Sequence, residues 1–225
     1  MIIVADGSEL VLRLEEFIVS AANTTIAKKG AFNLALSGGS LVALLAQSKL
    51  AKCLDSDYSR WNIFLADERC VPVSDAESTF GEYCRKMKQF VQETTFPEPF
   101  SQGDAGASAR EYEALLRRAG VMDLVILGLG PDGHTASLFP PVTPEMLTTE
   151  NWVEPVYNSP KPPSTRLTMT IPYISQAGLI SFVATGSNKI PALKRTSYDR
   201  TLPPAVLPKD RVYWFLDGMS ASGIQ

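Results

Sequence analysis

The sequence predicts a single α/β domain built on a mostly parallel, Rossmann-like sheet with helices on both faces. Three observations carry that expectation. Short runs rich in β-branched, aliphatic or aromatic residues, such as Phe32–Leu36 and Val212–Leu216, alternate with stretches whose apolar residues recur at the helical period. Several of those runs lead directly into glycine-containing or charged segments, as parallel strands do at a ligand edge. The composition, 45% hydrophobic and 20% charged over 225 residues, is that of one globule able to bury a core.

From the N-terminus, Ser8 is positioned to cap a helix in which Leu10, Leu14, Phe17, Ile18 and Ala21 form one apolar stripe. Phe32–Leu36 then reads as a buried strand, Ser37-Gly38-Gly39-Ser40 as a glycine turn, and residues 41–46 as a helix. The plan repeats: strand Trp61–Leu65 ends in Ala66-Asp67-Glu68-Arg69, Val71-Pro72 breaks the chain, and a helix is expected over 79–90. Residues 93–107, rich in Pro, Gly, Ser and Thr, read as a loop rather than a domain linker. Ser108-Ala-Arg-Glu111 has the form of a capping box. It would open a helix with Ala109, Tyr112, Leu115, Leu116 and Ala119 inward and Gly120 as its stop.

Residues 123–127 read as a central parallel strand running into Gly128-Leu-Gly-Pro-Asp-Gly-His134, with a helix expected from Thr135. After a proline-studded stretch over 140–163, residues 166–171 alternate like a half-buried strand, and 180–184 and Val212–Leu216 read as central strands. Thr185-Gly-Ser-Asn-Lys189 and a short helix over 192–196 lie between the last two. No repeat, low-complexity tract or boundary divides residues 1–225, so one domain is expected.

Charge and composition exclude several functions. With 21 Lys and Arg against 24 Asp and Glu, the chain lacks the basic excess that a nucleic-acid backbone requires. Its longest apolar stretches, such as 41–46, fall far short of the roughly 18 residues that span a bilayer. The opening Met-Ile-Ile-Val-Ala-Asp, with Asp6 and Glu9 early, does not read as a signal peptide, so a cytoplasmic location is expected; the chain is separately expected to be a monomer. Cys53, Cys70 and Cys84 fit neither a disulfide framework nor a zinc site and read as reduced, structural thiols. One histidine, His134, rules out mechanisms that need two or three imidazoles, including most catalytic zinc sites. No metal and no cofactor are expected.

Four segments following predicted strands, 37–40, 67–69, 128–134 and 186–189, should meet on one sheet edge. Ser37, Gly38, Gly39 and Ser40 offer backbone amides and hydroxyls to an anion, although the same residues also suit a plain turn with Ser40 as helix cap. Lys189 and Arg166 would complete a phosphate pocket as a point charge and a planar fork; each alone also reads as a solvated surface charge. Gly128-x-Gly130-x-x-Gly133 matches a dinucleotide fingerprint, but Glu145 and Glu150 sit in a proline-rich region with no strand for them to end, which disfavours nicotinamide. The loop would instead present Asp132 and His134 at a helix mouth. There the helix dipole disfavours imidazolium and keeps His134 a neutral base, with Asp132 orienting it or the substrate. The alternative is a histidine that caps the loop. Asp67-Glu68-Arg69 reads as a surface ion cluster or as part of the site, and its place after a buried strand favours the site. With no Gly-x-Ser-x-Gly elbow and no Walker sequence, the remaining chemistry is proton transfer or water activation on a small phosphorylated substrate.

Several motifs run in order over nearly the whole chain. They are Leu36-Ser-Gly-Gly-Ser-Leu41, Asp67-Glu-Arg-Cys-Val-Pro72, the long run from Asp123 through Asp132-Gly-His134-Thr-Ala-Ser-Leu-Phe-Pro140, Ser159-Pro-Lys-Pro-Pro163, Val183-Ala-Thr-Gly-x-x-Lys189 and Trp214-Phe-Leu-Asp217. Together they resemble the 6-phosphogluconolactonase family, within the wider glucosamine-6-phosphate isomerase/6-phosphogluconolactonase group. The Asp-Gly-His-Thr-Ala-Ser-Leu-Phe-Pro run is highly specific; Ser-Gly-Gly-Ser carries little alone. The resemblance implies metal-free hydrolysis of 6-phospho-D-glucono-1,5-lactone to 6-phospho-D-gluconate, the second step of the oxidative pentose phosphate pathway. It makes His134 the base that activates water and sets Arg69 toward the developing oxyanion or the substrate's oxygens. It gives residues 37–40, Arg166 and Lys189 to the 6-phosphate, Asp67 to substrate binding, and Asp132 to His134 or a sugar hydroxyl.

A glucosamine-6-phosphate deaminase is similar in the phosphate loop, the Asp-Gly-His segment and the Gly-x-x-Lys segment. It calls for a further base and acids, whereas residues 67–72 and 137–140 follow the lactonase pattern. A sugar-phosphate sensor without turnover is the third reading, and it lacks the DNA-binding segment such a sensor usually carries.

Overall fold

The computed structural model describes residues 1–52, 54, 56–100 and 103–224. Cys53 and residues 101–102 of the expected 93–107 loop lie outside the described residues. The strands are β1 (Ile2–Val4), β2 (Phe32–Leu36), β3 (Trp61–Leu65), β4 (Asp67–Arg69), β5 (Leu124–Gly128), β6 (Val153–Val156), β7 (Arg166–Met169), β8 (Leu179–Ala184) and β9 (Val212–Leu216). The longer helices of the first half are α1 (Gly7–Lys29), α3 (Thr79–Lys86) and α5 (Ala105–Ala119), with the shorter α2 (Ser40–Leu45) and α4 (Lys88–Glu93) between them.

Six strands form a wholly parallel sheet in the order β1-β9-β8-β5-β2-β3, and β4-β7-β6 form a small antiparallel sheet beside it. The two-residue period of the strands divides the core. Phe32, Leu34 and Leu36 of β2, Ile63 and Leu65 of β3, and Leu124 and Ile126 of β5 pack with Leu14 and Ile18 of α1. The intervening Ala35, Phe64, Val125 and Leu127 point the other way, onto Ala109, Tyr112 and Leu116 of α5. Both faces are therefore covered, as a parallel sheet requires. From β2 the chain steps outward to β3, whereas β5 leads to β8 and β9 on the other side. The direction reverses between β2 and β5, where open α/β sheets bind ligands beyond their carboxyl ends.

The structure corrects several local expectations. α1 starts before Ser8, with Asp6 in extended conformation as its N-cap residue. The helix expected over 79–90 is two helices, broken where Met87 leaves the helical region at φ −131° and ψ 45°. α5 begins earlier than the capping box suggested. Asp104 accepts a hydrogen bond from the Ala107 amide at 2.8 Å, and Ser108 is buried inside the first turns. Asp104→Ala should therefore cost about 1 kcal/mol, read from the urea midpoint, while Ser108→Ala removes no cap.

Residues 67–69, expected only as a charged segment following the strand Trp61–Leu65, form a strand of their own, β4. Its register sets Arg69 opposite Arg166 and Asp67 opposite Thr168. β7 is buried throughout, because β4 and β6 flank it on both edges, and it ends at Met169 where Thr170 caps a short helix, Ile171–Ile174. β1 and β6 escaped the sequence pattern: one has three residues, the other contains Pro155. No helix starts at Thr135. Ala136 takes a left-handed φ of 48°, Thr135 and Leu138 bridge to each other, and the chain turns away through Pro140. Among the described residues no helix is long and apolar enough to cross a membrane.

Candidate active site

A cavity of about 330 Å³ opens at the reversal point. That is near the lower bound of small-molecule pockets, about 300 to 1,000 Å³. Ser37, Gly38, Gly39, Ser40, Asp67, Arg69, His134, Arg166 and Lys189 all line it, and Asp132 reaches it through His134. A larger cavity of about 650 Å³ lies between Phe139, Met146 and Ile171, but its charged lining residues are Glu145 and Glu154, which repel an anion.

One wall of the smaller cavity is built by residues 37–40 and the start of α3. The Ser37 amide donates to Ile126 O at 2.9 Å, and the buried Tyr83 hydroxyl donates to Ser37 O at 2.9 Å, so both β5 and α3 hold the turn. Gly39, not Ser40, is the N-cap residue of α2. A Cβ at Gly38 would lie 2.8 Å from both Cγ2 and Oγ1 of Thr79, so the turn packs against Thr79 only because residue 38 has no side chain. Ser37 Oγ, Thr79 Oγ1 and Arg69 Nε are buried with no hydrogen-bond partner among the described residues. Interiors pair nearly all such atoms, so three orphans on residues that line one cavity are consistent with a polar ligand there.

The Asp67-Glu68-Arg69 segment divides its labour. Asp67 accepts from Ser137 Oγ at 2.7 Å. Arg69 lines the cavity and donates through Nη1 to Glu77 O at 2.8 Å. Glu68 points away from the cavity and is only 2% exposed. It accepts from the amides of Arg69, Thr79 and Phe80 at 2.6–2.7 Å, tying the start of α3 to β4. Burial pushes its pKa up, against the pull of those amides.

Arg166 spends much of its fork on the backbone. Nε donates to Pro163 O at 3.0 Å, Nη2 to the carbonyls of Lys161 and Pro162 at 3.1 Å, and Nη1 to Ser137 Oγ at 3.4 Å. Burial and the facing Arg69 lower its pKa. Lys189 follows β8, where Asp217 receives the Gly186 amide at 2.9–3.0 Å and fixes the turn. Burial and Lys161 lower the Lys189 pKa, against the pull of Asp132.

His134 is seated by Gly130, where a Cβ would occupy the place of the imidazole ring. Phe139 stacks on that ring at 4.9 Å. Nδ1 lies 2.5 Å from Asp132 Oδ1, and because a carboxylate only accepts, this contact assigns the proton to Nδ1 and leaves the lone pair on Nε2. Burial lowers the His134 pKa below the ordinary 6.5, and Lys161 adds to this. Asp132 and Asp67 pull the other way. Burial alone would raise Asp132, but His134 and Lys161 outweigh it and hold that carboxyl at about 2. The histidine is therefore neutral as expected, but by desolvation rather than by a helix dipole.

Sequence reasoning missed Thr79 and Lys161. Thr79 was visible only as the start of a helix. Lys161 lies inside Ser159-Pro-Lys-Pro-Pro163, a motif whose residue types name no chemistry by themselves.

The family model for glucosamine-6-phosphate isomerases/6-phosphogluconolactonase matches residues 5–214. The chain is 35% identical to 6-phosphogluconolactonase 3 of Saccharomyces cerevisiae (strain ATCC 204508 / S288c), over 98% of this chain and 96% of that protein. It is 38% identical to the 6-phosphogluconolactonase of Bos taurus, over 95% of this chain and 89% of that one. Among solved structures, 6-phosphogluconolactonase from Thermotoga maritima superposes with a TM-score of 0.82 at 26% identity, covering 96% of this chain and 99% of that chain.

Proposed function

The chain belongs to the glucosamine-6-phosphate isomerase/6-phosphogluconolactonase family, and from that premise we propose that it hydrolyses 6-phospho-D-glucono-1,5-lactone to 6-phospho-D-gluconate. The observation that supports this most is the meeting, on one small cavity, of a neutral carboxylate-held imidazole with buried orphan donors and several cations.

The phosphate, carrying about −1.5 to −2 charge at neutral pH, is assigned to Ser37, Thr79, Arg69 and Lys189 around the 37–40 turn, with Arg166 behind them. Held there, the lactone presents C1 to a water beside His134. Nε2 takes a proton as the water oxygen bonds to C1, and the carbonyl π electrons move onto its oxygen. The cationic side of the cavity, Arg69 included, meets that negative charge. On collapse the C1 to ring-oxygen bond breaks, the ring oxygen takes the proton back from imidazolium, and the new carboxylic acid ionises. Asp132 holds the ring by Nδ1–H and offsets the imidazolium, while Asp67, fixed by Ser137, is assigned to the sugar hydroxyls. A positioned base supplies about 10² to 10⁴ in rate, roughly 3 to 5 kcal/mol, which suffices for an activated ester. We assign this chemistry to residues 1–225 as one sugar-phosphate lactonase domain, a cytoplasmic monomer working without metal or cofactor.

The test is formation of 6-phosphogluconate from freshly prepared lactone, coupled to its dehydrogenase, with spontaneous hydrolysis subtracted. Acceleration by the wild type is expected. Ammonia release from glucosamine 6-phosphate with no lactone hydrolysis would favour the deaminase reading, and tight binding of the phosphate ester with no turnover a sensor. Lys189→Ala removes a charge-assisted contact of about 1.5 to 3 kcal/mol and should raise KM at least tenfold in that assay. Ser37→Ala should raise it severalfold, and kcat should fall less than KM rises in both.

A further inference from the structure

Lys161 is held at the general base by a built loop. Its amide donates to Ser159 Oγ at 3.2 Å, and its carbonyl accepts from that same hydroxyl at 2.9 Å and from Arg166 at 3.1 Å. From there Nζ reaches 3.1 Å from His134 Nδ1 and 3.3 Å from Asp132 Oδ2. Two groups of opposite charge thus crowd one ring nitrogen. Asp132 needs the proton on Nδ1 and stabilises imidazolium; Lys161 destabilises imidazolium and engages the carboxylate that would favour it.

On these contacts we infer that Lys161 is a positioning residue for His134: it offsets Asp132, so that the carboxylate orients the imidazole without holding it protonated. An ordinary Asp–His pair stabilises the charged ring, which is wasteful for a base that must be neutral before water attacks. The conflict deepens when a phosphorylated substrate brings further negative charge into a cavity of about 330 Å³. The charged groups around the ring are Asp132, Lys161 and Asp67, with Lys189 acting on Lys161 and Asp132; Phe139, stacked on the ring, carries none. Of these, Lys161 is the cation in contact with the imidazole. This role rests on the proposal that His134 is the base.

One property of the chain makes the inference directly measurable: it contains a single histidine, so every imidazole resonance belongs to His134. Nitrogen NMR of histidine-labelled protein, titrated with acid, reads both tautomer and pKa without substrate. The wild type should carry its proton on Nδ1 and titrate below 6.5. Lys161→Met should raise that pKa by about one unit; the Lys161 side chain is 41% exposed, so solvent trims the effect to the low end of a contact charge. Lys161→Arg should hold the wild-type value. The acid limb of kcat/KM for the lactone should move with the resonance, costing Lys161→Met about twofold at its raised pKa and approaching tenfold at pH values below the wild-type pKa. A merely structural lysine would lower activity by one factor at every pH and leave the titration unmoved, which would overturn the inference. So would a wild-type imidazole protonated on Nε2. Because the titration needs no turnover, an enzyme inert toward the lactone would overturn the proposed activity and leave the measured pKa coupling to be judged separately.

Discussion

His134→Ala should lower kcat for the lactone by roughly a hundredfold or more, while a phosphate-bearing product analogue binds nearly as well as to the wild type. The separation follows from the layout. The ring contacts Asp132, Lys161 and Phe139, whereas the orphan donors Ser37 Oγ and Thr79 Oγ1 belong to the wall made by the 37–40 turn and the start of α3. The pH dependence has a defined sign. A base works when unprotonated, so wild-type kcat/KM should be level through neutrality and fall on the acid side, with a midpoint below 6.5 because burial holds the imidazole neutral. The limb should vanish in His134→Ala. Asp132→Asn removes the charge that raises the imidazole pKa, so its limb should lie lower still. Its plateau should nonetheless drop at least tenfold, because an amide no longer fixes the proton on Nδ1.

Glu68→Ala should be the most destabilising change near the site, by about 3 kcal/mol, without removing any group that touches substrate. The carboxylate is buried and accepts three backbone amides, and alanine leaves those donors to find other partners. For a chain of this size that is a fall in Tm of about 6 to 12 °C, measured by calorimetry. Activity at a permissive temperature should show a second effect. Thr79 and Arg69 lose their common anchor, so KM for the phosphorylated lactone should rise with the loss of the wall they build. A Tm within about 2 °C of wild type would mean that the start of α3 is held by other contacts, such as Ser78 Oγ on the Gly81 amide.

The parts of this architecture legible in the sequence are those with a strong local cause. Phe32–Leu36, Trp61–Leu65 and Val212–Leu216 are predominantly apolar runs because a parallel sheet is covered by helices on both faces, and their limits are those of the strands. Asp132, His134, the 37–40 turn, Arg69 and Lys189 are visible as polar segments after strands; the cavity gathers all but Asp132, which stands behind His134. What escaped was set by distant partners. Residues 67–69 become a strand only because β7 arrives about a hundred residues later to pair with them. The helix expected from Thr135 fails because Ala136 turns left-handed and the prolines follow at once, leaving no length for one. Arg166 read as a free fork, yet most of its donors go to the backbone of 161–163 and to Ser137. That same bonding brings Lys161 to the histidine, a contact that spans 27 residues and has no local signature.

The central claim is that water, activated by His134, attacks C1 directly, and single-turnover hydrolysis in H₂¹⁸O tests it most simply. With enzyme in excess over fresh lactone and a rapid quench, mass spectrometry should find one ¹⁸O in the new carboxylate of the product and none in the protein. Product formed without label in the first turnover, with the heavy oxygen retained on an enzyme carboxylate such as Asp67, would show a covalent acyl intermediate and contradict the account.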